Sequence, residues 1–242
     1  MIAPHPDDES IGCGGLIARL CDLRQPVAAV LLTDGAMSHP ASERWPQSAR
    51  VALRLAEFHA ALRALGVDAA SVHAMGWPDG ALPGTDAPGF AGAVSALTDC
   101  LAACLADFLA DSRTARHADY PADRSPTTLL VPWRRDPHPD HRAASAIARA
   151  SNARLERPAR VLEYPVWTQQ RGSVGDQPRS DEATQWSVDI AAVIDCKLLA
   201  IAAHLSQLGG VIDDDPSGFV LPPEMLARCA QPIETFYEVT PP

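Results

Sequence analysis

The chain has 242 residues and a formal net charge of −10, with 47% hydrophobic and 21% charged residues. This length is usual for one α/β domain, so we expect residues 1–242 to form a single domain. An acidic chain with no visible basic face argues against nucleic acid as a partner. No apolar run approaches the ~20 residues of a membrane span, and the chain does not begin with a basic segment and an apolar core. We therefore expect no membrane span, no signal peptide and a cytoplasmic location.

The six cysteines lie mostly in apolar, helix-like stretches, and no two of them form a CxxC pair. This spacing predicts neither a zinc ribbon nor a thioredoxin motif. We expect free, buried thiols in a reducing compartment. His73 belongs to no motif and is expected to be an ordinary residue.

Apolar, strand-like runs alternate with helical patterns. The predicted strands are residues 27–32, 71–77, 128–133, 161–167 and 235–239, and the predicted helices are residues 16–20, 48–65, 90–109, 142–150 and 191–205. Residues 36–47 and 169–185 are predicted loops. Continuous apolar strands separated by helices indicate a mostly parallel sheet covered on both faces. We predict an α/β fold, a Rossmann-like three-layer α/β/α sandwich, with its site at the carboxyl ends of the strands.

The first polar motif is residues 4–9 (PHPDDE), followed by the glycine-rich stretch 10–15 (SIGCGG). Its prolines block regular strand hydrogen bonding and present an imidazole and two carboxylates on a stiff turn. His and Asp are normal ligands of first-row metals, and a second carboxylate beside a ligand is well placed as a general base. Only four residues precede His5. The strand before the motif is therefore either stunted or continues in residues upstream of this sequence.

The second polar motif, residues 136–141 (DPHPDH), follows the predicted strand 128–133 and opens the next helix. His138 and His141, three residues apart at the end of a strand, can face one point. One can bind a metal while the other donates a hydrogen bond or a proton. Asp136 or Asp140 can fix the tautomer of that second histidine and raise its pKa.

Each motif alone has an ordinary explanation. The first is rich in turn-forming residues, and the second is compatible with an Asp at a helix N-cap. Both follow strands in an α/β pattern, however, and together they favour a metal-dependent hydrolase.

With these two motifs the sequence resembles the LmbE-like, PIG-L-type N-acetylglucosaminyl de-N-acetylases, whose hallmark is a PHPDDE segment near the N-terminus and a later HPDH. The resemblance covers most of the chain. Less specific matching pieces are residues 33–35 (TDG), 54–57 (RLAE), 65–66 (LG), 77–80 (WPDG), Lys197, 204–207 (HLSQ) and 234–236 (ETF).

The resemblance implies a metal site and a reaction. His5, Asp8 and His141 would bind Zn²⁺ and leave one position for water, the usual open arrangement of a catalytic zinc. The same His-Asp-His set also suits iron, cobalt or manganese. The implied reaction removes an N-acyl group, such as acetyl, from a small-molecule N-acetylglucosamine-type conjugate.

The resemblance also implies roles for three neighbouring residues. Asp7 would be the general base, and His138 would stabilise the oxyanion or act as a general acid. Asp140 would support His138. A protonated His138 would offset the charge of the tetrahedral intermediate.

Two further residues are candidates for substrate binding. Arg54 can hold a hydroxyl or a phosphate, or it can form a surface salt bridge with Glu57 one turn away. Asp79 lies in a Pro-Asp-Gly turn, which explains it unless that loop faces the pocket. Trp167 and Trp133, at predicted strand ends, can stack on a sugar or pack in the core.

Other functions are compatible with the same motifs. The metal site can serve cleavage of a different amide or hydration of a double bond, because fold does not fix function. A sugar-binding protein with a degenerate site is the alternative from another class, but the presence of Asp7 and His138 favours hydrolysis. The sequence pattern indicates neither the group attached to the sugar nor the oligomeric state.

Overall fold

The computed structural model describes residues 1–114 and 127–239. The strands are β1 (Ile2–Ala3), β2 (Ala29–Thr33), β3 (Val72–Trp77), β4 (Thr128–Pro132), β5 (Arg160–Tyr164), β6 (Ala183–Asp189) and β7 (Ile233–Val239). The α-helices are α1 (Asp8–Asp22), α2 (Gln47–Ala64), α3 (Phe90–Thr114), α4 (Pro139–Asn152), α5 (Thr168–Arg171), α6 (Ile194–Ala203) and α7 (Pro223–Cys229).

The strands form two sheets that meet at β1 and β4. One is parallel with the order β1-β2-β3, and the other has the order β4-β5-β7-β6. β4 and β5 are parallel, whereas β7 runs antiparallel to both of its neighbours. β1 contacts β4, and the Tyr164 hydroxyl on β5 donates a 2.6 Å hydrogen bond to the carbonyl of Ile2 on β1. Parallel pairing therefore occupies the middle of the layer, where the two polar motifs follow β1 and β4.

Helices cover both faces of this layer. Successive residues of a strand point to opposite faces. Ala3 and Leu31 belong to an apolar cluster with residues of α1, α2 and α6. Ile2 and Val30 belong to a second cluster with residues of α3 and α4. The predicted three-layer α/β/α sandwich is confirmed.

The glycine-rich stretch brings α1 close to its neighbours. A Cβ on Gly12 would overlap the ring of Tyr164, and a Cβ on Gly15 would come within 2.8 Å of three atoms of Ile190. Cys13 between them has non-helical backbone angles (φ −151°, ψ 20°), so the helix is kinked there. Small residues thus set how closely α1, which begins with Asp8, approaches β5.

All the predicted strands and helices are present, with ends shifted by a few residues. The start of α1 was predicted wrongly, since the helix begins at Asp8 instead of residue 16. β6 falls partly in the predicted loop 169–185. Its residues Thr184–Ser187 are exposed, so this edge strand has no apolar run to reveal it.

α3 contains an apolar stretch of about the length of a membrane span, which was not expected from the sequence. Among the described residues, Phe90–Phe108 is long and apolar enough to cross a membrane by length and composition, with a mean hydropathy of 1.4 and 22% of the stretch buried. Its Val94, Leu97 and Leu101 pack in the core cluster that α4 shares.

Candidate active site

Three ligand-type atoms lie at the spacing that one metal ion requires. His5 Nδ1 is 3.2 Å from Asp8 Oδ2 and 3.3 Å from His141 Nε2. His141 Nε2 is 3.2 Å from Asp8 Oδ2. Atoms held about 2.0–2.2 Å from a tetrahedral Zn²⁺ are about 3.3–3.6 Å apart. His5, Asp8 and His141 therefore fit a single zinc ion.

Local backbone structure explains how each motif delivers its ligands. In the first motif, the carbonyl of His5 accepts hydrogen bonds from the backbone N–H groups of Asp7 and Asp8. The N–H of His5 donates to Asp8 Oδ2 at 2.9 Å. In the second motif, His138 is the N-cap of α4, and His141 follows in the first helical turn. The N-cap is thus a histidine rather than the aspartate that the ordinary explanation of this motif requires.

Carboxylates face the remaining ring nitrogen of both histidines. His5 Nε2 is 3.2 Å from Asp140 Oδ2 and 3.2 Å from Asp79 Oδ1. His141 Nδ1 is 3.3 Å from Asp136 Oδ1. A carboxylate at one ring nitrogen fixes the proton there, and the lone pair of the other nitrogen then points to the shared centre.

Asp140, which was expected to support His138, contacts it through its backbone while its carboxylate has other partners. The Asp140 carboxylate is occupied by His5 and by the backbone N–H groups of Gly80 (2.8 Å) and Leu82 (3.2 Å). Asp140 contacts His138 through its backbone N–H instead, which donates to His138 Nδ1 at 3.2 Å.

The charges of the cluster favour a cation at its centre. Burial lowers the pKa of His141, but Asp8 and Asp136 outweigh it and raise that pKa to about 9. Burial likewise opposes protonation of His5, but Asp140, Asp79 and Asp8 hold its pKa well above the ordinary value. Two imidazoles and a carboxylate are ordinary zinc ligands, so Zn²⁺ can supply the positive charge in place of these protons.

The predicted base Asp7 lies against Arg54. Burial raises the pKa of Asp7 to about 6, although the Arg54 guanidinium opposes that shift. Arg54 Nη2 is 3.3 Å from Asp7 Oδ2 and donates to the carbonyl of Pro6 at 2.6 Å. Arg54 is buried, and Glu57 instead accepts hydrogen bonds from the N–H and hydroxyl of Ser206. The alternative of a surface salt bridge between Arg54 and Glu57 is therefore wrong.

His138 is neutral in this arrangement. Burial, together with His141 and His5, lowers its pKa to about 4. Since its Nδ1 accepts the N–H of Asp140, the proton of the neutral ring is on Nε2. The expected increase in the pKa of the second histidine is thus wrong, because among the described residues no carboxylate forms a hydrogen bond or ion pair with the His138 ring to offset these effects.

Comparison with known proteins shows to which family the chain belongs. Residues 1–152, more than half of the chain, match the PIG-L family, described as GlcNAc-PI de-N-acetylase. The chain belongs to the PIG-L family. It is 30% identical over 225 residues to a diacetylchitobiose deacetylase of Thermococcus kodakarensis, covering 85% of this chain and 68% of that protein.

A second relative and a solved structure with the same fold have names that indicate different activities. A 1D-myo-inositol 2-acetamido-2-deoxy-α-D-glucopyranoside deacetylase of Mycobacteroides abscessus is 28% identical over 263 residues, with coverage of 91% of this chain and 84% of the relative. The 4-carboxy-2-hydroxymuconate hydratase of Pseudomonas putida shares the fold, with a TM-score of 0.66 at 17% identity and coverage of 100% of this chain and 95% of that one.

In this PIG-L family chain, an open cleft leads to the cluster. Its lining includes the expected residues His5, Asp7, Arg54, Asp79 and His138. Asp79 and Gly80 both line the cleft, so the turn that holds them faces the pocket. Asp79 also accepts the N–H of Met37, another lining residue, at 2.9 Å.

Three further residues form part of the cleft wall, and of these only Trp167 was a candidate from the sequence. Trp167 and Phe219 line it with their rings in a T-shaped contact at 5.6 Å, and the Arg171 guanidinium lies 3.9 Å from the centre of the Trp167 ring. Trp133 is fully buried, in agreement with core packing. Phe219 lies in an irregular segment and Arg171 in the four-residue helix α5, and neither apolar periodicity nor a motif identifies them.

Lys197, His204 and Glu234, which belong to the less specific matches to the family, form buried ion pairs behind the cleft. Lys197 Nζ is 2.7 Å from Glu234 Oε1, and Glu234 accepts the backbone N–H groups of Gly15 and Leu16 on α1. His204 Nε2 is 2.7 Å from Glu9 Oε1 on the same helix. Both pairs hold α1, whose first turn carries Asp8.

Proposed function

We propose that this protein is a zinc-dependent deacetylase of small N-acetylglucosamine-type conjugates. The observation that carries the proposal is the mutual 3.2–3.3 Å spacing of His5 Nδ1, Asp8 Oδ2 and His141 Nε2 at the base of the cleft. The names of two relatives, which act on acetylated amino sugars, support the substrate class.

The cleft is compatible with a sugar conjugate. Trp167 and Phe219 offer apolar ring surface, and Asp79 and Arg54 offer polar groups in the same lining. Apolar faces with a few polar groups are typical of sites that fix the orientation of a small ligand. In this proposal Asp79 and Arg54 orient the sugar hydroxyls.

Zn²⁺ bound at the cluster would lower the pKa of a water molecule and polarise the acyl oxygen. Asp7, ionised above a pKa of about 6, accepts a proton from the attacking water. His138 donates a hydrogen bond from Nε2 to the acyl oxygen as negative charge develops there. The C–N bond then breaks, and Asp7 returns the proton to the departing amine nitrogen. The products are acetate and the free amino sugar.

Release of acetate and free amine tests this proposal. The zinc-loaded protein is incubated with N,N′-diacetylchitobiose and with an N-acetylglucosamine–inositol conjugate, and both products are measured. We expect release that a chelator abolishes, that Zn²⁺ restores, and that Asp7→Asn reduces by about 10²–10⁴-fold. Asp99→Asn, an exposed carboxylate on α3, is the matched control. Full zinc loading without amine release from either substrate would contradict the proposal.

A further inference from the structure

A second group of metal-ligand side chains lies outside the cleft. His73 on β3 and Cys100 and Cys104 on α3 each offer one ligand atom, and these atoms all lie within 4.8 Å of one another. Cys100 and Cys104 are four residues apart, so both lie on one side of the helix. Met75, two residues after His73 and on the same face of β3, packs with Cys100 against the cluster that contains Cys104.

The donor types select a class of cation. Two thiolates and an imidazole are soft or borderline ligands that suit Zn²⁺, in contrast to the oxygen-rich sites of Mg²⁺ or Ca²⁺. Around one Zn²⁺, thiolate sulfurs lie about 3.8 Å apart and a sulfur and a nitrogen about 3.6 Å apart. Side-chain movements of about 1 Å therefore suffice to close the group on an ion.

Two of the three ligands are accessible to an incoming ion. Cys104 is buried, whereas His73 and Cys100 are half-buried. Metals bind cysteine in its thiolate form, so an incoming ion would displace the thiol protons of Cys100 and Cys104 as it binds.

This group is separate from the candidate active site. β3 is the edge strand of the parallel sheet, and His73 lies near its start, paired in register with Val30. His73 is four positions before Trp77, where the strand ends on the cleft side, a distance of about 13 Å along the strand.

We propose that His73, Cys100 and Cys104 bind a second, thiophilic cation, Zn²⁺, with solvent completing its coordination. The ion would fasten α3 to the edge strand β3. This proposal does not depend on the deacetylase activity, because it uses none of the residues assigned to that reaction.

Cobalt provides a probe specific for the thiolates. The reduced full-length protein is titrated with Co²⁺, and the thiolate-to-cobalt charge-transfer absorption is recorded together with the bound metal. We expect a thiolate band in the wild-type protein and in His141→Ala, whose remaining ion sits at the second site. We expect the band to disappear in Cys104→Ser, with the loss of about one ion per chain. Cys196→Ser, a half-buried cysteine outside the group, is the matched control and should keep the band.

Alkylation of the thiols gives a second readout. Zn²⁺ should protect Cys100 from an alkylating reagent at least about tenfold, and His73→Ala should remove that protection while the fold, checked by circular dichroism, is retained. If Cys104→Ser does not fold, the cobalt titration is carried out with His73→Ala instead. Absence of a thiolate band in the wild type, or a band that persists in both Cys104→Ser and His73→Ala, would overturn the proposal.

Discussion

Asp136 Oδ1 lies 3.3 Å from Nδ1 of His141, on the opposite side of the ring from the nitrogen that faces Asp8. Asp136 also accepts backbone N–H groups from His138, Val166 and Trp167. A single buried carboxylate therefore connects the second motif, the segment after β5 and a proposed metal ligand. Such outer partners fix the tautomer and basicity of a metal-binding histidine.

Asp136→Asn should weaken zinc binding by about 10–100-fold, because the amide cannot hold the Nδ1 proton of His141 as a carboxylate does. Competition with a chelator of known affinity measures this change. Thermal unfolding of the metal-free variant separates it from a loss of folding, since Asp136 also accepts backbone hydrogen bonds. Unchanged zinc affinity in the folded variant would show that Asp136 does not strengthen zinc binding through His141.

Activity should fall on the acid side because Asp7 must be ionised to accept a proton. Burial raises its pKa to about 6, so the active form is present above this pH and is lost as the pH falls through it. We expect kcat/KM to decrease about tenfold per pH unit below that point. A bound cation favours the ionised carboxylate, so the limb of the zinc-loaded enzyme should lie at or below pH 6. The residual activity of Asp7→Asn should lack this limb, and an unchanged pH profile in that variant would assign the base to another group.

Gly12→Ala should destabilise the protein by about 1–3 kcal/mol, because the new methyl group would overlap the buried ring of Tyr164. Gly92→Ala on α3 is the matched control, since a Cβ there meets no atom of the described residues within 4 Å. Helix propensity makes that control neutral or stabilising by up to about 1 kcal/mol. Denaturant unfolding of the two variants measures the contrast. Equal effects would show that α1 does not pack against Tyr164 as described.

Lys197→Met should reduce the free energy of unfolding by about 3–5 kcal/mol, because it leaves the Glu234 carboxylate buried without its cation. Adding Glu234→Gln should recover part of this loss. A double-mutant cycle by denaturant unfolding at neutral pH gives the coupling between the two residues. Purely additive effects would mean that the ion pair is not formed.

The fold, and the convergence of the three proposed metal ligands, could be predicted from the sequence for physical reasons. Continuous apolar strands reveal a sheet with two covered faces, and β2 and β4 are of this kind. The two histidine motifs are contiguous in sequence, so a short turn and one helical turn suffice to place His5, Asp8 and His141.

Partners that come from distant segments were harder to predict. Asp79 and Asp140 meet at His5 only after β3 and β4 are placed in the sheets. Phe219 joins the cleft from an irregular segment. The group of His73, Cys100 and Cys104 depends on α3 crossing β3, and no spacing in the sequence reveals that contact.

The proposed zinc site can be located by anomalous diffraction at the zinc edge from crystals of the zinc-loaded protein. We expect a peak about 2.0–2.2 Å from His5 Nδ1, Asp8 Oδ2 and His141 Nε2. No such peak in the wild-type protein, or a peak at the cluster that remains fully occupied in His141→Ala, would contradict the proposed site.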